Sequence, residues 1–186
     1  MYLRIFSDFM MPLQNGNEWQ MFIEFAAAYF AHRDITDPVV VEIGTWDNRQ
    51  KRFYEAAMHA RHFGVDLKTD GIFKPDILGD SHNPLTLQDY FDLSGHAPID
   101  LLFIDGDHTY EGIKADYELW GPNAPRLIAF HDVDNKKEPG AMQFWEYLRR
   151  EYEDKSDATF IKFSCWSDPW KMTIPNLGIG VMVKQI

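Results

Sequence analysis

Cysteine, positive charge and long apolar runs are scarce in this sequence, and each scarcity excludes a class of protein. Cys165 is the single cysteine among 186 residues, which excludes an internal disulfide and a zinc site built from thiolates. Lysine and arginine number 18 against 29 acidic residues, giving a formal net charge of −11. That balance argues against a nucleic-acid partner, which needs a basic surface, and against docking on an anionic membrane.

Apolar residues at the start of the chain do not add up to a targeting or membrane segment. Arg4 and Asp8 interrupt them, and no stretch of about 20 apolar residues follows. We therefore expect a soluble, cytoplasmic protein. What the sequence does contain is 45% hydrophobic and 15% aromatic residues, which argues against disorder and suffices for one domain with one sizeable core.

Helical and strand patterns alternate along most of the chain. Helices are predicted where apolar residues recur every three or four positions, and strands where apolar or β-branched residues form short runs. The predicted helices cover 17–33, 49–62, 85–93, 109–120 and 141–152, and the predicted strands cover 39–44, 63–67, 76–81, 99–106, 126–133, 158–165 and 178–184. The alternation predicts an α/β doubly wound fold, a mostly parallel seven-strand sheet with helices on both faces.

The predicted domain spans residues 1–186, with a helical segment at 1–36 and the α/β core at 37–186. No helix separates the last two predicted strands, so one of them is expected to run antiparallel. In open sheets of this kind, ligands bind beyond the carboxyl ends of the strands. Each strand end is therefore a place to look for functional residues.

The first predicted strand ends in Glu42, Gly44 and Thr45, just before a helix. This order is typical of a site for the tail of a nucleoside cofactor. Glycine lets the backbone approach a ligand closely, and the helix N-terminus supplies free N–H groups. Only one glycine is present where a dinucleotide fingerprint has three, so a simple strand-to-helix turn remains an alternative.

The next two strand ends carry Asp66, Asp80 and Ser81. Asp66 lies about 20 residues beyond the glycine turn, a separation that suits hydrogen bonding to ribose hydroxyls. A solvated strand-end carboxylate is the alternative. Asp80 and Ser81 either bracket an adenine edge or cap the following helix.

Acidic residues and histidines follow both the fourth and the fifth predicted strand. Asp105, Asp107 and His108 end the fourth, and His131 and Asp132 end the fifth. As neighbours in the predicted sheet, the two strands bring these groups to one edge. Carboxylates and imidazoles without thiolates suit a divalent cation such as Mg, Mn, Fe or Zn, and solvated loops are the alternative. The other histidines have no partner pattern and are predicted to be solvated: His32, His59, His62, His82 and His96.

Several segments, in this order, resemble the motifs of class I S-adenosylmethionine (SAM)-dependent methyltransferases: "VEIGTW", "GDS", "DLLFIDGDHTYEGIKADYELW", "IAFHDV", "GAMQFWEYL" and "GIGV". They are most similar to the branch with cephalosporin-hydroxylase-associated proteins and macrolide sugar O-methyltransferases, over residues 17–184. The resemblance implies a Rossmann-like sheet with the last strand antiparallel. It also implies SAM as cofactor, with its methionine end over Gly44, its ribose at Asp66 and its adenine near Asp80 and Ser81.

The resemblance further implies an O-methyltransferase acting on a hydroxyl of a small molecule, such as a sugar or natural product. In metal-dependent relatives, Mg binds the acid ending the fourth strand and an acidic pair ending the fifth. Carried over, these are Asp105, Asp132 and the position of His131, with Mg or another divalent cation as a second cofactor. Asp105 is also a candidate for the acid on the SAM side of the site. His108 is implied as the general base. Acceptor pockets in this fold are built from inserted segments, here residues 7–18, 134–140 and 166–170.

Two departures from the family pattern keep other functions open. His131 stands where those relatives have a carboxylate, and Trp46 and Asn48 replace the glycines that usually follow Gly44. The missing glycines allow a non-catalytic methyltransferase-fold binding or assembly protein. The paired histidines and carboxylates allow a metal-dependent hydrolase or oxygenase. The sequence also leaves homo-oligomer formation open.

Overall fold

The computed structural model of the protein describes residues 15–68, 74–165 and 177–185. Residues 1–14 of the predicted helical segment and residues 7–14 and 166–170 of the predicted acceptor segments lie outside these ranges. The helices are α1 (Gly16–His32), α2 (Lys51–Met58), α3 (Pro84–Ser94), α4 (Tyr110–Trp120) and α5 (Gly140–Glu151). The strands are β1 (Val39–Ile43), β2 (Arg61–Asp66), β3 (Ile77–Leu78), β4 (Leu101–Ile104), β5 (Leu127–His131), β6 (Ala158–Phe163) and β7 (Ile179–Lys184).

The strands form one seven-stranded sheet in the order β3-β2-β1-β4-β5-β7-β6. The pairs from β3 through β5 are parallel. β7 runs antiparallel to both of its neighbours, β5 and β6. The predicted doubly wound α/β fold with an antiparallel last strand is therefore confirmed. The domain limits at 1–36 and 37–186 stay predictions.

Both faces of the sheet are covered, which is why β1, β4 and β5 read as continuous apolar runs. On one face, α1 and α2 pack against β4, with Trp19 5.7 Å from Phe103 and 5.5 Å from Tyr54 between ring centroids. On the other face, α3, α4 and α5 pack together. There Phe144 lies 5.9 Å from Phe130 of β5.

The first helix begins where its sequence predicts it. The Asn15 side chain caps it by accepting hydrogen bonds from the backbone N–H groups of Asn17 and Glu18, at 3.1 and 3.4 Å. Its buried stripe of Trp19 and Phe22 faces the sheet. None of the helices in the described ranges combines the length and the hydropathy that a membrane crossing requires.

Two boundaries differ from the sequence prediction around the second strand. The predicted helix 49–62 stops at Met58, because His59 takes a left-handed conformation with φ 54° and ends α2. β2 then starts at Arg61, two residues before the predicted strand. His62 is thereby a buried strand residue, and its prediction as a solvated histidine is wrong. Arg61 and His62 are polar, so the apolar pattern of the sequence does not indicate that the strand begins there.

Candidate functional site

A pocket of about 500 Å³ opens beyond the carboxyl ends of β1 to β4. It contains several residues that the sequence nominates for a cofactor: Gly44, Asp66, Asp80, Ser81 and Asp105. These residues come from four different strand ends, so only the folded sheet assembles them. The pocket lies where open parallel sheets generally bind ligands.

Gly44 shapes the inner end of the pocket. Its φ is +81°, and a Cβ built on it would lie 2.1 Å from the carbonyl oxygen of Asp105. The Gly44 N–H donates to the carbonyl of Val65, and the Asp105 N–H donates to the carbonyl of Ile43. Glycine is required here because the chain leaving β1 crosses directly against the backbone leaving β4.

Trp46 and Asn48 adopt backbone conformations that glycine usually occupies. Their φ angles are 48° and 52°, so the loop keeps a glycine-like path without the glycines. The Trp46 N–H donates to Asp66 Oδ2 at 2.6 Å, and Asn48 Nδ2 donates to the carbonyl of Lys74 at 2.8 Å. These bonds hold the loop, while the Trp46 indole lies half exposed at the pocket wall.

The carboxylate of Asp66 is fixed at the centre of the pocket by two backbone donors. Oδ2 accepts from Trp46, and Oδ1 accepts from the Lys68 N–H at 3.0 Å. Each carboxylate oxygen has two lone pairs, so Asp66 keeps accepting capacity toward the pocket. A ribose diol, which donates two hydroxyl hydrogens, matches that capacity.

Glu42 and Thr45 do not reach the pocket, although the sequence nominates both for the cofactor. Both are fully buried, and the Thr45 hydroxyl has no hydrogen-bond partner among the described residues. Glu42 Oε2 lies 2.8 Å from His62 Nε2, and the Tyr54 ring stacks on that imidazole. Burial raises the pKa of Glu42 well above its usual range and lowers that of His62 to about 3. Burial thus favours the neutral forms of both side chains, which lie behind the pocket.

The two acid-histidine clusters meet at one edge of the sheet, as the sequence predicts. Ile104 of β4 lies beside Phe130 of β5, so the residues that follow them become neighbours. His131 Nδ1 is 2.8 Å from Asp105 Oδ1. His108 Nε2 is 3.3 Å from the same oxygen, and its Nδ1 is 3.1 Å from Asp132 Oδ2.

The charges in this cluster stabilise one another. Asp105 and Asp132 raise the pKa of His108 to about 11, against the opposing effect of burial. Burial lowers the pKa of His131, but Asp105 and Asp132 outweigh it and raise that pKa. Burial also opposes ionisation of the two carboxylates, yet the facing imidazoles hold both pKa values below the usual range. The cluster therefore favours ionised carboxylates and protonated imidazoles.

Glu138 joins the cluster, and sequence reasoning did not nominate it. Ligand atoms of His108, Asp132 and Glu138 all lie within 4.8 Å of one another. The loop bearing Glu138 is brought there by Gly140, where a Cβ would lie 2.2 Å from the His108 carbonyl oxygen. Gly140, just after the loop that follows the fifth strand, is the sequence feature that could have indicated this close contact.

The donor set fits a divalent cation, and the predicted His131 ligand stays a prediction. Its Nδ1 is engaged with Asp105, and Nε2 is buried without a partner among the described residues. Asp132 Oδ1 is likewise buried and accepts no hydrogen bond of full geometry from the described part of the chain, although it lies 3.2 Å from His131 Nδ1. One imidazole with two carboxylates, from His108, Asp132 and Glu138, suits Mn, Fe or Zn at least as well as Mg.

The fold and the pocket together define a class I SAM-dependent methyltransferase fold. Comparison with known proteins agrees, since the model of the methyltransferase-domain family matches residues 40–133. The chain belongs to that family. The predicted methyltransferase superfamily is thereby confirmed.

Solved structures share the fold at low sequence identity. MycE from the mycinamycin biosynthetic pathway, in complex with Mg, S-adenosylhomocysteine (SAH) and mycinamycin VI, has a TM-score of 0.57 and 14% identity, covering 86% of this chain and 48% of MycE. TomG from Streptomyces achromogenes, in complex with SAM, has a TM-score of 0.54 and 14% identity, covering 88% and 79%. An O-methyltransferase from Bacillus cereus, in complex with SAH, has a TM-score of 0.54 and 11% identity, covering 89% and 81%.

One curated relative matches a short part of the chain. The uncharacterized protein y4gI from Sinorhizobium fredii is 40% identical over 55 residues, which is 28% of this chain and 6% of that protein. The chain thus spans a small fraction of this relative, and about half of MycE.

Proposed function

We propose that this domain binds SAM in the pocket and catalyses methyl transfer to a hydroxyl group of a small molecule. The observation that carries the proposal is the shared position of Asp105, which lines the pocket and also bonds to the acid-histidine cluster. Asp105 thus belongs both to the proposed cofactor pocket and to the acid-histidine cluster. This arrangement suits a reaction in which a hydroxyl next to the cofactor loses a proton to the cluster. MycE, described with both SAH and a natural product, supports a small-molecule acceptor.

The residues of the pocket fit SAM. When bound, SAM supplies a methyl group on a positively charged sulfur. Asp66 offers paired acceptors for ribose hydroxyls, and Asp80 and Ser81 lie at the adenine side. Asp105 lines the pocket and its backbone lies against Gly44, so its negative charge would favour a sulfonium group bound nearby.

His108 is proposed as the group that takes the proton of the acceptor hydroxyl. A general base must be unprotonated at the working pH, whereas the pKa of His108 is about 11 with its carboxylate partners free. His108 therefore fits the role when another cation competes for Asp105, Asp132 and Glu138 and does not itself ligate the His108 imidazole, because a ligated imidazole has no lone pair left to accept a proton. A divalent cation at His108's acidic neighbours would neutralise those carboxylates and polarise the acceptor oxygen.

The alternatives receive less support from the geometry. A binding-only domain was suggested by the missing glycines, yet Trp46 and Asn48 keep the glycine-like path of the loop. A hydrolase or oxygenase would use the acid-histidine cluster without the pocket. Activity lost on chelation and unaffected by SAM would favour that third function.

Calorimetry with SAH tests the cofactor assignment. We expect wild type to bind SAH, and Asp66→Ala to weaken binding at least about tenfold, because two carboxylate hydrogen bonds are lost. Asp37→Ala is the control, since Asp37 is exposed and bonds only to the Thr36 hydroxyl among the described residues. Absence of wild-type binding at millimolar SAH would overturn the proposal.

Methyl transfer itself is tested with SAM labelled on the methyl group. Hydroxylated sugars and natural products serve as acceptors, and their deoxy analogues as controls. We expect transfer to depend on the hydroxyl and His108→Gln to slow it at least about a hundredfold, the usual contribution of general base catalysis. Transfer that is unchanged in His108→Gln would remove His108 from the proposal.

A further inference from the structure

A second cavity, of about 510 Å³, shares Asp107 with the pocket. His108 and Glu138 of the acid-histidine cluster line this second cavity. Its other lining residues come from the first turn of α4 and from the start of α5: Thr109, Tyr110, Pro139, Gly140 and Gln143. The imidazole that is proposed to take a proton therefore borders a space that adjoins the proposed cofactor pocket.

A third cavity, of about 390 Å³, continues the second one along α5, because Gln143 lines both. Its other lining residues are Met142, Glu146, Tyr147 and Arg150. Gln143, Tyr147 and Arg150 are spaced by four and three residues, so they lie along one side of the helix. That stripe is roughly 10 Å long, since an α-helix advances by about 1.5 Å per residue. We call the second and third cavities together the α5 groove.

Tyr147 places a partly exposed aromatic ring in the middle of the α5 groove. Its exposed fraction is 42%. The ring centroid lies 6.3 Å from that of Tyr110 and 6.0 Å from that of Phe144, so neighbouring rings fix its position. A ring that is already held in place loses little conformational entropy when a ligand packs on it. Tyr147 is therefore suited to stacking with a planar group.

The two ends of the α5 groove differ in charge. Asp107 and Glu138 line the end next to the cofactor pocket, and carboxylates accept hydrogen bonds from hydroxyl groups. At the far end, Glu146 Oε1 is paired with Arg149 Nη1 at 3.0 Å. Arg150 is exposed, and its guanidinium forms no ion pair with any residue that the structure describes. The far end thus offers a positive charge, although the formal net charge of the chain is −11.

We propose that the α5 groove binds the part of the acceptor that is distant from the methylated hydroxyl, and that it selects extended acceptors with a planar ring and a carboxylate. The inference rests on the proposed methyl transfer and names the acceptor class for that site. The hydroxyl lies at His108, the planar ring packs on Tyr147, and the carboxylate pairs with Arg150. The guanidinium of arginine matches a carboxylate in a two-bond geometry.

Two glucosides that differ only in charge test the inference. The para-carboxyphenyl glucoside carries sugar hydroxyls, a planar ring and a carboxylate, and its para-carbamoylphenyl analogue replaces the carboxylate with a neutral amide. Calorimetry measures both, with and without SAH. We expect wild type to prefer the carboxylate by about three- to fivefold at low salt, the size of one partly exposed ion pair. The preference should approach one in about 0.5 M NaCl, because salt screens exposed charges.

Arg150 is tested by a graded pair of variants. Arg150→Gln removes the charge and should bring the preference close to one, whereas Arg150→Lys keeps the charge and should retain most of it. Arg33→Gln is the matched control, because Arg33 is an exposed arginine at the end of α1 that lies over the Tyr29 ring. If Arg150 acts only on helix stability, through the dipole at the end of α5, its variants would shift the melting temperature and leave the ratio of affinities unchanged.

Tyr147 should affect both glucosides alike. Tyr147→Ala removes the stacking surface, and we expect it to weaken both by about threefold or more while their ratio stays the same. Tyr147→Phe keeps the ring and should restore both affinities. Equal affinities in wild type and Tyr147→Ala would remove Tyr147 from the site.

The outcomes for the α5 groove and for cofactor binding can be told apart. If wild type binds SAH but binds neither glucoside, or binds both equally at low salt, the α5 groove is overturned and the SAM-binding function stands. A preference that survives in Arg150→Gln also overturns the inference. If wild type binds no SAH but prefers the carboxylate through Arg150, the SAM-binding function fails and the α5 groove stands as a binding site for anionic glycosides.

Discussion

His131 and Asp105 meet across the ends of neighbouring strands, with His131 Nδ1 2.8 Å from Asp105 Oδ1. The contact engages Nδ1, one of the two imidazole nitrogens through which His131 could ligate a metal. It also engages the Asp105 carboxylate, and Asp105 lines the pocket at the strand ends. The pair therefore links the pocket to the acid-histidine cluster. Residue 131 is a histidine here, where metal-dependent relatives have a carboxylate. This difference changes which side chains are available to ligate a cation.

Gly44→Ala is expected to destabilise the domain by about 3 kcal/mol or more. The new Cβ would lie 2.1 Å from the Asp105 carbonyl oxygen, and the φ of +81° is unfavourable for alanine. Gly95→Ala is the matched control, since Gly95 has φ +71° but open space around it. We expect about 1 kcal/mol there. Urea denaturation measures both, and equal losses would contradict the close-approach argument.

The Glu42–His62 pair gives the domain a distinctive pH dependence. The pKa of Glu42 is raised in the folded state, so stability falls as pH rises above the unfolded value of about 4.3. Glu42→Gln keeps a hydrogen-bonding group and removes this loss. The free energy of unfolding of Glu42→Gln, relative to wild type, should therefore increase from pH 5 to pH 8. A difference that stays constant with pH would show that Glu42 is ionised in the folded protein.

Glu42→Leu separates the charge from the hydrogen bond. It removes the partner of the His62 imidazole, whose side chain is fully buried. We expect a cost of about 1–3 kcal/mol at neutral pH, because a buried polar group is left unpaired. Glu42→Gln should avoid most of that cost.

His108 makes a contribution of the same sign to pH dependence, over a higher pH range. Its folded pKa is about 11, above the unfolded value of about 6.5. The stability from its ion pairs is fully present below about pH 6.5 and is lost as pH rises toward 11. Compared with His108→Gln, wild type should thus gain most at pH 6 and progressively less by pH 10. Chemical denaturation at several pH values checks this, with His32→Gln as an exposed control.

The sequence predicts those strands and strand ends that a local run of apolar residues marks. β4 and β5 are short apolar runs buried on both faces, so their ends and the meeting of Asp105 with His131 follow from sheet order. β2 was placed too late, because Arg61 and His62 look like helix surface until the sheet buries His62 against Glu42. The burial of His62 arises from the tertiary structure, so it cannot be read from the hydrophobic periodicity of the sequence.

Glu138 and the residues of the α5 groove were missed for different physical reasons. Glu138 reaches His108 only because Gly140 lets α5 start against the His108 backbone. Tyr147 and Arg150 lie on the exposed side of α5, and the amphipathic pattern of a helix assigns such residues to solvent. That α5 borders the cavity at His108 follows from the packing of the helices on the sheet, which the pattern of one helix does not contain.

Metal binding is expected to depend on Glu138 more than on His131. Ligand atoms of Glu138, His108 and Asp132 lie within 4.8 Å of one another, whereas His131 Nδ1 is engaged with Asp105. Titration with Mn²⁺, followed by electron paramagnetic resonance, should give weaker binding in Glu138→Gln and Asp132→Asn, each by about tenfold, the size expected for losing one contact. Glu146→Gln is the control, because Glu146 lies on α5 and pairs with Arg149 instead.

His131→Asn decides between the two candidate ligand sets. If Mn²⁺ affinity in this variant stays within a few fold of wild type, the cation uses His108, Asp132 and Glu138. If His131→Asn abolishes binding while Glu138→Gln does not, the set implied by family resemblance, Asp105, His131 and Asp132, is the right one. In that case the His131–Asp105 contact must open if the cation binds at Nδ1, since Nδ1 cannot both donate its proton to Asp105 and ligate a cation.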